Sequence, residues 1–68
     1  MTERLQKALN EQITAELWSA NLYLSMSFFL RREGYDGFAH WMQVQAQEET
    51  SHATQIAQYM ISRQAIPK

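Results

Sequence analysis

The stretch QEETSHA, residues 47–53, places two adjacent glutamates, Glu48 and Glu49, shortly before His52. Glu49 and His52 are three residues apart, so on a helix they lie about 60° apart and project to one side. A carboxylate and an imidazole on a dry helix face need a partner, and a metal ion is the partner to test. Glu-x-x-His is also common by chance, so the interpretation depends on finding a further ligand.

A second mid-helix carboxylate supplies that ligand. Glu16 lies between Ile13 and Ala20 on a largely apolar strip, where an unpaired carboxylate would be costly. Glu16, Glu49 and His52 fall near the middle of their predicted helices, and in an antiparallel hairpin the middles face each other. Two carboxylates and one imidazole form an oxygen-rich site that suits iron or manganese better than a metal that prefers thiolates.

Two long helices must position these residues. No helix breaker occurs from Glu3 to Glu33, and apolar residues recur there at three- and four-residue spacing. We therefore predict a first helix over about residues 3–33. Thr2 is its expected N-cap, and Gly34 is the natural left-handed stop.

The second helix is predicted over about residues 37–64, after a turn at residues 34–36 in which Asp36 is the expected N-cap. Pro67 ends the pattern. A short connection between two long helices gives an antiparallel pair. The sequence therefore predicts an all-α fold, in which residues 1–68 form a single helical hairpin.

The apolar strips of these helices are wider than one neighbouring helix can cover. A chain of 68 residues without cysteine has little core and no disulfides to compensate. We therefore predict self-association, with two hairpins completing a four-helix bundle. The residues expected to face the core are Leu5, Leu9, Gln12, Ile13, Glu16, Leu17, Ser19, Ala20, Tyr23, Leu24, Ser27, Phe28, Leu30, Phe38, Trp41, Met42, Gln45, Glu49, His52, Ile56, Tyr59 and Met60.

Composition argues against several classes of protein. The net charge is −1, with no basic run beyond Arg31 and Arg32, so we expect no nucleic-acid or anionic-membrane partner. No run of apolar residues approaches the roughly 18 needed to span a bilayer. The polar N-terminus lacks the hydrophobic core of a signal peptide, and we expect a cytoplasmic protein.

The segments NEQITAELWSANLYLSMS and AQEETSHA, taken together, resemble the first two helices of a bacterial non-haem ferritin. In that family the subunit is a four-helix bundle that assembles into a hollow cage. It oxidises Fe²⁺ with dioxygen or peroxide at a di-iron ferroxidase centre and stores the ferric mineral. The resemblance covers the whole chain but only the N-terminal half of a ferritin, since family subunits continue into helices that carry further ligands.

The resemblance implies roles for five residues. Glu16 matches the terminal ligand from the first helix, Glu49 the glutamate that bridges the two irons, and His52 the histidine on the first iron. Tyr23 matches the tyrosine beside the centre and joins these three as a catalytic residue. Glu48 matches a residue that some bacterial ferritins use in a third, weaker iron site.

No haem is expected as a cofactor. The haem-binding relative, bacterioferritin, places a methionine inside its Glu-x-x-His, where this chain has Thr50 and Ser51.

Two alternatives to a ferritin iron oxidase stay open. One is a non-catalytic helical hairpin that dimerises and carries a relic metal site. The other is a two-helix di-iron protein in which two copies pool four glutamates and two histidines. Di-iron carboxylate bundles use that ligand number, with one Glu from each of two helices and a Glu-x-x-His from each of the others.

Overall fold

Two long antiparallel α-helices make up the protein, and the computed structural model describes all residues, 1–68. Helix α1 spans Glu3–Arg32 and helix α2 spans Asp36–Ser62, and there are no strands. The predicted all-α hairpin is confirmed. The pair measures 48 × 16 × 11 Å, so the molecule is one layer of helices. Neither helix has a stretch long and apolar enough to cross a membrane.

The ends of α1 are set by local capping. The Thr2 hydroxyl accepts a hydrogen bond from the Leu5 N–H at 3.1 Å, as expected for an N-cap. At the other end Gly34 has a φ of 87°, a conformation that glycine adopts without steric cost. That turn lets the Tyr35 N–H donate to the Leu30 carbonyl at 2.8 Å, which satisfies a terminal acceptor of the helix.

The bounds of α2 differ from the predicted ones. Tyr35 occupies the N-cap position without a side-chain capping hydrogen bond, so the prediction of Asp36 as the cap was wrong. Asp36 is instead the first helical residue, where its carboxylate still suits the positive end of the helix dipole. At the other end Gln64 adopts a φ of 60°, and the Ala65 N–H donates to the Met60 carbonyl at 2.8 Å. This left-handed turn ends the helix short of the predicted residue.

Small side chains form the seam between the helices. The buried residues repeat every seven positions, which keeps one line of each helix against the other along the whole hairpin. Most of them are alanine or serine, so the two backbones approach closely. The buried Ser27 hydroxyl donates to the Leu24 carbonyl at 2.7 Å and is not left unpaired. The buried residues are Ile13, Ala20 and Ser27 on α1 and Ala39, Ala46, Ala53 and Met60 on α2.

Several large residues that were predicted to face the core are exposed instead. Each needs a second layer of helices to be covered, and the hairpin provides only one. The sequence pattern favoured them over the seam alanines because their hydrophobic signal is much stronger than that of a methyl group. These exposed residues are Leu5, Leu17, Phe28, Phe38, Trp41 and Tyr59.

We expect Ala53→Leu to lower the free energy of unfolding by about 1–3 kcal/mol, because the added carbons must push two close helices apart. Ala53 is 4% exposed. The matched control is Ala15→Leu, at an exposed position of α1, which should change stability by less than about 0.5 kcal/mol. Urea denaturation followed by circular dichroism, at one protein concentration, compares the two variants. Equal effects would contradict a tightly packed seam.

Candidate metal centre

Three side chains from the two helices meet at mid-length of the hairpin. One ligand atom from each of Glu16, Glu49 and His52 lies within 4.8 Å of the other two. Helix α1 has 30 residues and α2 has 27, and Glu16 and Glu49 both lie close to the midpoint of their helices. The antiparallel arrangement therefore brings residues together that are more than thirty positions apart in the sequence.

Glu16 has neighbours on both of its carboxylate oxygens. Gln12, one turn earlier on α1, donates from Nε2 to Oε1 at 2.7 Å. Across the seam, Nδ1 of His52 lies 3.4 Å from Oε2, a contact that becomes an ion pair when the imidazole is protonated. The Glu16 side chain is 15% exposed and that of His52 is 54% exposed. The imidazole thus reaches into the cluster while its outer edge faces solvent.

The second carboxylate oxygen of Glu16 is the least satisfied polar atom of the site. Oε2 is buried and has no hydrogen-bond partner, since the approach of His52 lacks hydrogen-bond geometry. Buried acceptors in proteins are nearly always paired, so an unpaired one needs an explanation. A cation held between Oε2, Glu49 and His52 would provide one, since two carboxylates with an imidazole suit Fe²⁺ or Mn²⁺.

The pKa values of the two glutamates are shifted in opposite directions. The neighbouring Glu49 carboxyl group and then the hydrogen bond from Gln12 lower the pKa of Glu16, with a further lowering by His52. Proximity to the Glu16 carboxylate, followed by burial and by the charge of Glu16, raises the pKa of Glu49. Two carboxylates in contact disfavour double ionisation, so Glu16 ionises first and Glu49 keeps its proton longer. A metal ion bound here would displace that proton, because its ligands must be deprotonated.

The other two residues with a predicted role lie apart from this cluster. Tyr23 is half-buried two turns beyond Glu16 on α1, and Glu48 is exposed on α2. Gln12 was predicted only as a member of an apolar strip, not as a partner of the site. The signal that could have identified it is its spacing of four residues from Glu16, at which an amide and a carboxylate on one helix face make contact.

Comparisons with known proteins identify the family of the chain. Residues 6–68 match the family model described as ferritin-like domain. A bacterial non-heme ferritin of Bacteroides fragilis (strain 638R) is 60% identical over 68 residues, which are 100% of this chain and 43% of that protein. A bacterial non-heme ferritin of Staphylococcus epidermidis (strain ATCC 12228) is 38% identical over 63 residues, 93% of this chain and 38% of that protein.

A solved ferritin structure is also similar to this chain. The open pore ferritin from the hyperthermophilic archaeon Archaeoglobus fulgidus matches with a TM-score of 0.95 and 43% identity, over 100% of this chain and 42% of that chain. The chain therefore belongs to the ferritin family. The predicted resemblance to the N-terminal half of a bacterial non-haem ferritin is confirmed, and the chain spans less than half the length of these relatives.

The raised pKa of Glu49 predicts how the metal-free protein responds to pH. A carboxyl group with a raised pKa in the folded state contributes stability below its ordinary value of 4.5 and loses it as the pH rises through the raised value. Glu49→Gln cannot ionise, so it should be more stable than the wild type at about pH 7 and equally stable at about pH 4. Urea denaturation at both pH values measures the difference.

The control for this experiment is Glu48→Gln, at the exposed neighbouring position. It should change the difference between the two pH values much less, because the charge of Glu48 is the smallest of the causes that raise the pKa of Glu49. A gain in Glu49→Gln that is the same size at both pH values would mean that the carboxyl proton plays no part in it.

Proposed function

We propose that this chain supplies half of a ferritin-type ferroxidase centre, which oxidises Fe²⁺ to Fe³⁺ for iron storage. One observation carries the proposal: Glu16, Glu49 and His52 converge within 4.8 Å around a buried Glu16 oxygen that lacks a partner. Membership of the ferritin family supports iron as the substrate. The relatives in Bacteroides fragilis and Staphylococcus epidermidis are named non-heme ferritins.

Each residue of the cluster has a distinct binding role in this proposal. Glu16 binds Fe²⁺ through Oε2, because the hydrogen bond from Gln12 occupies Oε1. Glu49 would release its proton to bind Fe²⁺, and the resemblance to ferritins makes it the glutamate that two ions would share. His52 binds one of these ions through the ring nitrogen that faces Glu16. Neutral imidazole and carboxylate are both good ligands for iron.

The oxidation step follows from this pairing of two ions. Each Fe²⁺ gives up one electron, and dioxygen takes up the two electrons with two protons to leave as hydrogen peroxide. With peroxide as the oxidant, the same two electrons and two protons yield two molecules of water. Hard carboxylate oxygens bind Fe³⁺ better than Fe²⁺, so Glu16 and Glu49 favour the oxidised product.

Two further residues support the site in this proposal. Tyr23 is half-buried two turns from Glu16 on the same side of α1, where its side chain would shield the centre from solvent without contacting the cluster. Glu48 is exposed beside Glu49 and holds iron weakly at the rim of the centre.

A second function, a non-catalytic dimerising hairpin with a relic metal site, has one observation in its favour. The His52 side chain is 54% exposed, and water competes for a ligand in that position. The two experiments below separate the two functions.

We expect Glu49→Ala to abolish tight Fe²⁺ binding and to leave the helix content unchanged, because it removes the bridging ligand and relieves contact between two carboxylates. The matched neighbour Glu48→Ala, exposed on α2, should bind Fe²⁺ almost as the wild type does. Anaerobic Fe²⁺ titration with metal analysis compares the two. Equal losses in both variants would mean that the wrong glutamate has been assigned to the centre.

Metal should also stabilise the fold. An ion that binds only the folded protein contributes about 2.7 kcal/mol at a hundred times its dissociation constant, which corresponds to roughly 10 °C or more in Tm for a chain of this size. We expect Mn²⁺ to raise Tm in the wild type and not in Glu16→Gln, which keeps the shape and loses the charge. An unchanged wild-type Tm would favour the relic site.

A further inference from the structure

Residues 63–68, here called the strap, turn back towards α1 after α2 ends. The turn is made at Gln64, which has a φ of 60°, and the Ala65 N–H then donates to the Met60 carbonyl at 2.8 Å. A left-handed conformation is unfavourable for a residue with a side chain and persists where the surrounding structure holds it. The strap therefore needs contacts beyond the turn that keep it in this position.

One side chain of α1 supplies such contacts through both atoms of its amide group. Nδ2 of Asn10 donates to the Ile66 carbonyl at 3.1 Å. Oδ1 of the same side chain accepts from the Lys68 N–H at 2.7 Å. No other hydrogen bond joins the strap to α1. Because the two bonds share one amide group, we expect them to form and break together.

Pro67 explains how a single amide reaches both of its partners. Proline restricts the residue before it to extended conformations, and here that residue is Ile66. In an extended chain the carbonyl of one residue and the N–H two residues later point to the same side, as they do in a β-strand. The Ile66 carbonyl and the Lys68 N–H can therefore both face Asn10. The N–H that proline lacks would point the other way, so no bond is lost.

The strap covers one end of the apolar core. Met60 is 0% exposed although it lies only two residues before the end of α2, where helices usually fray. Together with Ile13 and Ala53 it forms the buried cluster of the hairpin, and Ala65 of the strap packs against that cluster. Release of the strap would remove Ala65 and expose this end of the core to water.

Asn10 lies on the flank of α1 that faces away from the metal-ligand cluster. It is six residues from Glu16, which places the two about 120° apart around the helix and about 9 Å apart along it. The buried line of Ile13 and Ala20 passes between them. Anchoring at Asn10 therefore holds the strap on the side of the seam opposite Glu16.

We propose that Asn10 is the anchor of a hinged strap: residues 63–68 open and close as one unit about Gln64, and the Asn10 amide holds them closed over the Met60 end of the core. Asn10 is thus a positioning residue for the segment that follows α2. The inference requires no bound metal and does not depend on the proposed function.

Asn10→Ala tests the anchor, with Asn21→Ala as its matched control. Asn21 is exposed on the same flank of α1, three turns farther along. Trypsin cleavage after Arg63, followed by mass spectrometry, reports opening of the strap. We expect Asn10→Ala to be cleaved there about tenfold faster than the wild type, since two hydrogen bonds are lost. Asn21→Ala should differ from the wild type by less than about twofold. Equal rates in the two variants would overturn the inference.

Two internal comparisons separate opening of the strap from weakening of the whole fold. Cleavage after Arg31, at the opposite end of the hairpin, should not accelerate in Asn10→Ala, because alanine favours a helix more than asparagine does. Equal acceleration after Arg31 and after Arg63 would overturn the inference. Hydrogen exchange measured by nuclear magnetic resonance gives the second comparison. The Lys68 N–H should exchange about tenfold faster in Asn10→Ala than in the wild type, and an unchanged rate would show that Asn10 does not hold the strap.

Discussion

The close contact of α1 and α2 along a line of small side chains is the constraint on which the site depends. Ala46 and Ala53 set the distance between the helix axes, and their seven-residue repeat sets the rotation of each helix about its axis. Glu16 and Glu49 lie next to that line, on the same side of the seam. With larger seam residues the axes would separate and these two carboxylates would no longer lie in one cluster. The packing of the seam therefore also determines the relative positions of the ligands.

That geometry opposes the folding of the metal-free chain. Two carboxylates are held together, one of their oxygens is buried without a partner, and the pKa of Glu49 is raised as a result. Polar groups that are strained in this way are typical of functional sites, where the surrounding packing holds an unfavourable arrangement in place. Gln12 limits the cost by donating to Glu16, and it leaves free the one oxygen that faces the rest of the cluster. A bound cation would attract both carboxylates and so replace the repulsion between them with a favourable interaction.

Local sequence signals predicted the helices and the convergence of Glu16, Glu49 and His52, because each depends on spacing within a helix and on the antiparallel turn at Gly34. The seam was not predicted in the same way. An alanine is buried or exposed depending on where a second helix lies, and its own side chain carries little hydrophobic signal. The cap of α2 was mispredicted at Asp36 because a favourable residue type does not fix the backbone conformation around it. Hydrophobic periodicity thus identified the faces of each helix but not which line of each face forms the seam.

The distribution of residue sizes explains why so many large apolar side chains of the hairpin are exposed. Small residues lie between the two helices, while large residues such as Phe38 and Tyr59 lie on surfaces that the hairpin cannot cover. Close helix packing brings the ligands together but buries little apolar area per residue, so most of the hydrophobic free energy available to this chain requires a further layer. The proposed site has a similar requirement, because a metal ion held by Glu16, Glu49 and His52 alone would have only three protein ligands. Helices that packed over Glu16, Glu49 and His52 would therefore cover apolar residues and supply further ligands at the same time.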